Sequence, residues 1–178
     1  MLLAFTVLSS LATFSEPVAG HGLEVADSIP SGVVQARLGE LPALAGLNVM
    51  LLEGVRQGLM LSWHESRPLL VLGRGGEPML RFSEAGVEAN TGSATWQALQ
   101  GAGPGSHGGE HWLPVSRSRS YGWMDPRLSL ETAGAVTDTG APRLWRIPLQ
   151  TGGRGFELAG EFYWRSLPAA ATRVHDHH

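Results

Sequence analysis

The chain consists of short hydrophobic runs, and glycine or proline separates one run from the next. Within several runs, hydrophobic and polar positions alternate, as in a strand with one buried face. Over residues 156–163, for example, Phe156, Leu158 and Phe162 lie on one face and both glutamates on the other. Strands are predicted at residues 23–26, 33–38, 48–53, 59–63, 68–72, 79–82, 87–90, 121–123, 127–130, 144–149 and 156–163. No stretch carries a sustained helical repeat, and residues 93–100 are the best helical candidate.

Glycine-rich segments at 73–78, 83–86 and 151–155 predict tight turns between these strands, because glycine adopts positive φ angles easily. Short strands at regular spacing predict an all-β fold, a two-sheet antiparallel sandwich of immunoglobulin or cupredoxin type. The segment 101–111 has too many glycines for regular structure and is predicted to be a long loop. The length of 178 residues suits one such domain.

The first fourteen residues contain no charged side chain and are mostly apolar, and Pro17, Ala19 and Gly20 follow them. This pattern predicts a signal peptide at 1–20, and therefore a periplasmic or secreted protein. No Arg or Lys precedes the apolar run, so either the signal is a weak one or the true start lies upstream; a first strand or buried helix is the alternative. The β-sandwich domain is then expected at 21–168, followed by a disordered histidine-containing tail at 169–178.

Composition excludes several kinds of chemistry. A hydrophobic content of 43% with a net charge of −3 describes a globular protein and argues against nucleic acid or anionic membrane as a partner. The absence of cysteine excludes thiolate metal sites and cysteine nucleophiles, and the absence of lysine excludes Schiff-base chemistry. Because no motif positions a Ser-His-Asp set or a phosphate loop, no catalytic residues are predicted.

Histidine offers the best candidate chemistry. Cleavage after Gly20 would place His21 at the amino terminus, where its amine and imidazole can chelate one metal ion. Such nitrogen ligands suit Cu(II), so copper is the expected cofactor. His64, His111 and His107 are the candidates to complete the site, with His64 and His111 best placed. For each of them, a surface or hydrogen-bonded histidine is the alternative interpretation.

The six tryptophans are expected to lie mainly in the core. Trp96 and Trp112 flank the glycine-rich loop and are the candidates for an exposed pair. An exposed pair would favour a different function, an envelope interaction module that binds a protein or glycan partner without metal. A copper oxidase acting on polysaccharide is a third hypothesis, but it needs a broad exposed substrate surface, for which the sequence gives no sign.

Several blocks, at 71–90, 95–96, 121–127 and 145–149, resemble a group of exported bacterial envelope proteins without an established activity. The resemblance covers about residues 45–165 and implies a shared fold. In that group the Tyr-x-Trp block often continues His-Asp-His-Arg, whereas this chain has Met124, Asp125, Pro126 and Arg127. Two possible imidazole ligands are therefore missing, and Asp125 and Arg127 are expected to form a structural ion pair.

The segment that begins with His21 is also similar in style to periplasmic copper-resistance proteins of the CopC type, which are small β-sandwiches that start with a histidine. This likeness implies an exported copper-binding protein in periplasmic metal handling. A copper transporter or another envelope protein would be its partner. The metal-free interaction module remains the alternative.

Overall fold

The computed structural model describes residues 32–54, 56–101, 109–129 and 142–167. These residues contain ten strands, one short α-helix and one turn of 3-10 helix. In chain order the elements are β1 (Gly32–Leu38), β2 (Leu47–Leu52), β3 (Gly58–Trp63), β4 (Leu69–Leu72), β5 (Pro78–Ser83), β6 (Gly86–Asn90), α1 (Ala94–Leu99), β7 (Trp112–Ser116), β8 (Ser120–Trp123), the 3-10 turn (Pro126–Leu128), β9 (Arg143–Thr151) and β10 (Arg154–Ser166).

The strands form two antiparallel sheets, which confirms the predicted all-β sandwich. The larger sheet has the strand order β1-β10-β9-β4-β5-β6-β7, and the smaller has the order β2-β3-β8. Alternation places the hydrophobic side chains of each strand between the sheets. Val71, Leu80 and Phe82 of the large sheet are fully buried, as are Leu59 and Leu61 of the small sheet. Each such side chain contributes about 1.5–3 kcal/mol to folding.

The predicted turns are confirmed, and glycine explains the tightest of them. Gly152 and Gly153 join β9 to β10 with φ angles of 56° and 75°. Two successive positive φ angles give a two-residue hairpin its right-handed twist. The turn sets the register of the longest strand pair in the molecule, in which Leu158 pairs with Ile147.

The helix predicted at 93–100 is confirmed as α1. Ser93 caps it, because the Ser93 side chain accepts a hydrogen bond from the backbone N–H of Trp96. The strand predicted at 127–130 is wrong, since Pro126–Leu128 forms a 3-10 turn. Asp125 caps this turn through the backbone N–H of Arg127, and proline is favourable in the first turn of a helix.

Strand β7 was not predicted, because Pro114 interrupts its pattern. It lies at the edge of the large sheet, where a missing N–H is tolerated. The strand predicted at 23–26, the signal peptide at 1–20 and the tail at 169–178 lie outside the described residues, as does most of the predicted loop at 101–111. Within the described residues, no helix has the length and apolar character that crossing a membrane requires.

Candidate binding groove between the sheets

A groove of about 920 Å³ opens between the two sheets at one end of the sandwich. Strand β1, at the edge of the large sheet, forms one wall together with Trp164 of β10. The loop between β2 and β3, the end of α1 and the segment after β8 form the rest. The volume is within the range of sites that hold small molecules or short peptide segments. Its walls are mainly apolar, with Val34, Leu99 and Leu128 among them.

A buried ion pair supports the wall that follows β8. Both oxygens of the Asp125 carboxylate accept hydrogen bonds from the Arg127 guanidinium, each at 2.8 Å. The indole N–H of Trp123 donates to the same carboxylate at 2.8 Å. Arg127 also donates to the carbonyl oxygen of Leu72, at 2.8 Å, which ties this segment to β4. The expected Asp125–Arg127 ion pair is thus present in the structure.

Burial raises the pKa of Asp125, but the hydrogen bonds and charge of Arg127 outweigh burial and hold that pKa below its ordinary value. The carboxylate stays ionised and accepts four hydrogen bonds, from Trp123 and from the backbone and side chain of Arg127. An aspartate bound in this way has little capacity left to bind a metal ion or transfer a proton. Its role is to hold the chain on either side of it.

Met124 and Pro126 flank this aspartate, and both line the groove. The resemblance noted from the sequence implies histidine at these two positions in other proteins, which stays a prediction. Neither residue brings a polar side chain to this wall. The wall is therefore apolar in this chain, where two imidazoles would have made it polar.

The mouth of the groove carries positive charge. Arg56 is exposed there, and Arg74 lies against the opposite wall, where its guanidinium donates to the carbonyl oxygen of Pro126 at 2.9 Å. Among the described residues that line the groove, Asp125 is the one carboxylate, and Arg127 already balances its charge. An anionic group at the mouth would meet two guanidinium groups.

Glu77 holds α1 and the turn before β5 in place beside the groove. Its carboxylate accepts hydrogen bonds from the Ser93 hydroxyl at 2.8 Å, the Thr95 N–H at 3.1 Å and the Gly75 N–H at 2.9 Å. Burial raises the pKa of Glu77, but hydrogen bonds from Ser93, from the side chain and backbone of Thr95 and from the backbone of Glu77 itself outweigh burial and lower the pKa to about 2. The contacts fix the start of the helix that carries Leu99 and the turn that carries Arg74.

The two predicted histidine ligands within the described residues lie far apart. His64 is at one end of the sandwich, where its carbonyl oxygen accepts from Arg119 in the loop after β7. His111 precedes β7 at the other end, and five residue steps to Ser116 span roughly 16 Å along a strand. The structure does not bring these two imidazoles together, and both are exposed. The other two candidates, His21 and His107, lie outside the described residues, so the predicted pairing of His21 with His64 or His111 stays a prediction.

Among the described residues there is no group of three or more His, Asp or Glu side chains able to hold a metal ion. The prediction of an exposed pair of tryptophans is wrong. Trp96 is buried, with 8% of its surface accessible, because α1 packs it against Tyr121. Trp112 lines a second, shallower cleft on the outer face of the large sheet, but the guanidinium of Arg81 lies 4.4 Å from its ring centroid and covers one face.

The residues that form the groove were missed by sequence reasoning, apart from Asp125 and its neighbours. Arg56 and Gln57 are far from Trp164 in the chain, and no spacing pattern links them. The sequence feature that lies at the groove is the block 121–127, which was singled out for its predicted resemblance to other proteins. Comparisons with protein-family models, curated proteins and solved structures gave no match. What the chain binds must therefore be inferred from the chemistry of its own residues.

Proposed function

We propose that this protein is a non-catalytic interaction module whose groove binds an apolar segment of a partner protein that carries an anionic group. The observation that carries this proposal is the open groove of about 920 Å³ between the sheets, with apolar walls and two arginines at its mouth. Such concave, mainly apolar sites with a few polar groups are the usual form of binding sites. Of the two partner classes expected from the sequence, the apolar walls favour protein over glycan.

Binding is proposed in preference to catalysis because of the state of Asp125. It is the one carboxylate among the described lining residues, and its oxygens already accept four hydrogen bonds. A general acid or base needs a free lone pair or proton within reach of its substrate. Asp125 serves the shape of the groove instead.

The test uses 8-anilinonaphthalene-1-sulfonate, an apolar molecule with one negative charge, and isothermal titration calorimetry on the full chain. We expect one dye molecule to bind per protein. The double variant Arg56→Glu and Met124→Glu should weaken that binding at least tenfold, because it reverses a charge and adds another at a residue that lines the apolar groove. The matched control is Arg117→Glu with Met50→Glu, which makes the same changes at exposed positions outside the groove. Equal dye affinity in the two double variants would remove the groove as the binding site.

Copper binding is a second candidate function, and the outer face of the small sheet favours it. Met50 and Met60 are direct cross-strand partners on that face. The sulfur of Met124 lies over Gly58, two residues before Met60 on the same strand, and a Cβ built on Gly58 would be 3.0 Å from it. Met50 and Met124 are about half exposed. Thioether sulfur is a soft ligand that selects Cu(I), so this face adds to the support that His21 gives the copper hypothesis.

A competition titration with the Cu(I) chelator bicinchoninate tests this candidate. Replacing Met50, Met60 and Met124 together with leucine should weaken Cu(I) binding at least tenfold, since leucine keeps the volume and removes the sulfur. Met79→Leu is the matched control, because Met79 is fully buried. Unchanged Cu(I) affinity in the triple variant would rule out the thioether site, and His21→Ala then tests the amino-terminal one. The exported location and the copper transporter or envelope protein as partner remain predictions.

A further inference from the structure

Strand β1 presents part of its backbone to the groove. Among the described residues it lies at the edge of the large sheet and has β10 as its one partner strand. On its other side, the carbonyl oxygen of Val34 accepts from the side chain of Gln57 and the N–H of Ala36 donates to it. Because the N–H and C=O of one strand residue point to the same side, the Val34 N–H also faces this edge.

Gln57 takes the place of a neighbouring strand at one point of this edge. Its amide nitrogen donates to Val34 at 3.3 Å, and its amide oxygen accepts from Ala36 at 2.8 Å. One residue of a parallel strand makes the same two bonds to the residues that flank its partner. The side chain thus occupies a single rung, and the edge from Gly32 to Val34 continues beyond it along the wall of the groove.

We propose that the partner binds by strand addition: an extended peptide segment pairs with the backbone of β1, and its alternate side chains enter the groove. This inference rests on the proposed function and specifies the form of its ligand. Edge strands are natural templates for such pairing, in which the main chain supplies affinity and the pockets supply specificity. Alternation along the added strand directs apolar side chains toward Leu99 and Leu128. An acidic residue near the mouth pairs with Arg56.

The probe is the tightest peptide selected on the full chain from a random library of about twelve residues. We expect N-methylation at one of the alternate residues of that peptide to weaken binding at least tenfold, because the methyl group removes the donor to the Gly32 carbonyl oxygen, the acceptor on this edge that Gln57 does not occupy. On the protein, Val34→Pro should weaken binding by a similar factor, while Val34→Ala, which keeps the N–H, should weaken it much less. Proline is tolerated at an edge strand when its N–H faces away from the sheet.

Two results would overturn strand addition: a peptide insensitive to N-methylation at every residue, or a library that yields no binding peptide. The methylated peptides are tested on the unmodified protein, so this readout does not depend on how Val34→Pro folds. The dye titration separates this inference from the proposed function. If the dye binds and the groove variant abolishes its binding while strand addition fails, then the groove binds its ligand through side chains alone.

Discussion

At the scale of single residues, the described part of the molecule contains two kinds of ion pair, exposed and buried. Four of the five ion pairs among the described residues are at least partly exposed, as in Arg146 with Glu157 at 2.9 Å, whose side chains are 61% and 40% exposed. Asp125 is different, since its side chain is fully buried and that of Arg127 nearly so. Exposed pairs contribute little to stability, whereas removing one member of a buried pair leaves an uncompensated charge. The two kinds of pair therefore predict different responses to the same substitution.

Asp125→Asn should lower the free energy of unfolding by about 3–5 kcal/mol, because the buried Arg127 charge loses its counter-ion. Glu157→Gln removes the same charge from an exposed pair, and we expect it to cost less than about 1 kcal/mol. Urea denaturation of both variants measures the difference. Similar losses in the two variants would contradict the structural role of Asp125. Unchanged Cu(I) affinity in Asp125→Asn is also expected, because Asp125 has no part in the thioether face.

Glu77 makes a prediction about pH. Its pKa is about 2 in the folded protein, against an ordinary value of 4.5. A lowered pKa means that the ionised form stabilises the fold, so this stabilisation is present above about pH 4.5 and is lost as the pH falls toward 2. Glu77→Gln should thus reduce stability at pH 7, and its difference from the unmodified protein should shrink steadily below pH 4.5. Glu84→Gln, at a carboxylate that is 63% exposed, is the control and should show a much smaller dependence on pH.

At the scale of elements, β10 is the longest strand and the one to which β1 and β9 both pair. Its partner strands come close at Gly160, where Trp145 of β9 lies across the glycine and the carbonyl oxygen of Arg37 in β1 approaches from the other side. A side chain at this position would meet both groups. Glycine in the middle of a strand marks such a close approach.

Gly160→Ala should therefore destabilise the protein by more than about 2 kcal/mol, since the methyl group has to displace backbone as well as the indole ring. Gly155→Ala makes the same change in the same strand, where a Cβ meets no atom within 4 Å. That control should be neutral or slightly stabilising, because alanine loses less entropy on folding than glycine. Thermal unfolding of the two variants compares them directly. A neutral Gly160→Ala would show that Trp145 and β1 shift without cost.

The sequence predicts an element well when the residues that determine it are neighbours in the chain. Strands with clear alternation, such as β10, and glycine turns, such as the one at Gly152, depend on neighbouring residues and were predicted correctly. The strand predicted at 127–130 was wrong. The Asp125 cap and the Pro126 ring favour a 3-10 turn there more strongly than the apolar pattern favours a strand. The groove could not be predicted, because it depends on how two sheets diverge at one end. His64 and His111 show the same limit. They were the two best-placed metal-ligand candidates in the sequence, yet they lie at opposite ends of the sandwich.

At the scale of the whole molecule, the first and last of the described strands pair with each other across a long sequence separation. Within the part of the chain that the structure describes, strand β1 pairs with β10 alone, and the bond between Arg37 and Glu161 joins residues 124 positions apart. The β4–β5 and β5–β6 hairpins, by contrast, join neighbouring segments. Because closing a long loop costs entropy before its contacts form, local hairpins are expected to form first. Stability and folding rate should therefore depend on different parts of the fold.

A kinetic experiment tests this order. Val34→Ala in β1 and Val71→Ala in β4 each remove two methyl groups from a side chain that contacts the core, and each should cost about 0.5–3 kcal/mol. We expect Val34→Ala to act by speeding unfolding with little effect on refolding, and Val71→Ala to slow refolding as well. Stopped-flow measurements across a range of urea concentrations separate the two rates. If refolding slows equally in both variants, β1 already docks in the transition state.

The arrangement of the indole rings around the groove gives the protein an optical reporter of its own. Four of the six tryptophans are buried, and the ring nitrogen of one of these, Trp145, has no hydrogen-bond partner among the described residues. Trp164 is half-buried and lines the groove, while Arg81 covers one face of Trp112. Acrylamide should therefore quench the emission of Trp164 first. Whatever enters the groove should shield that ring, so occupancy can be followed by the loss of quenchable fluorescence without a label.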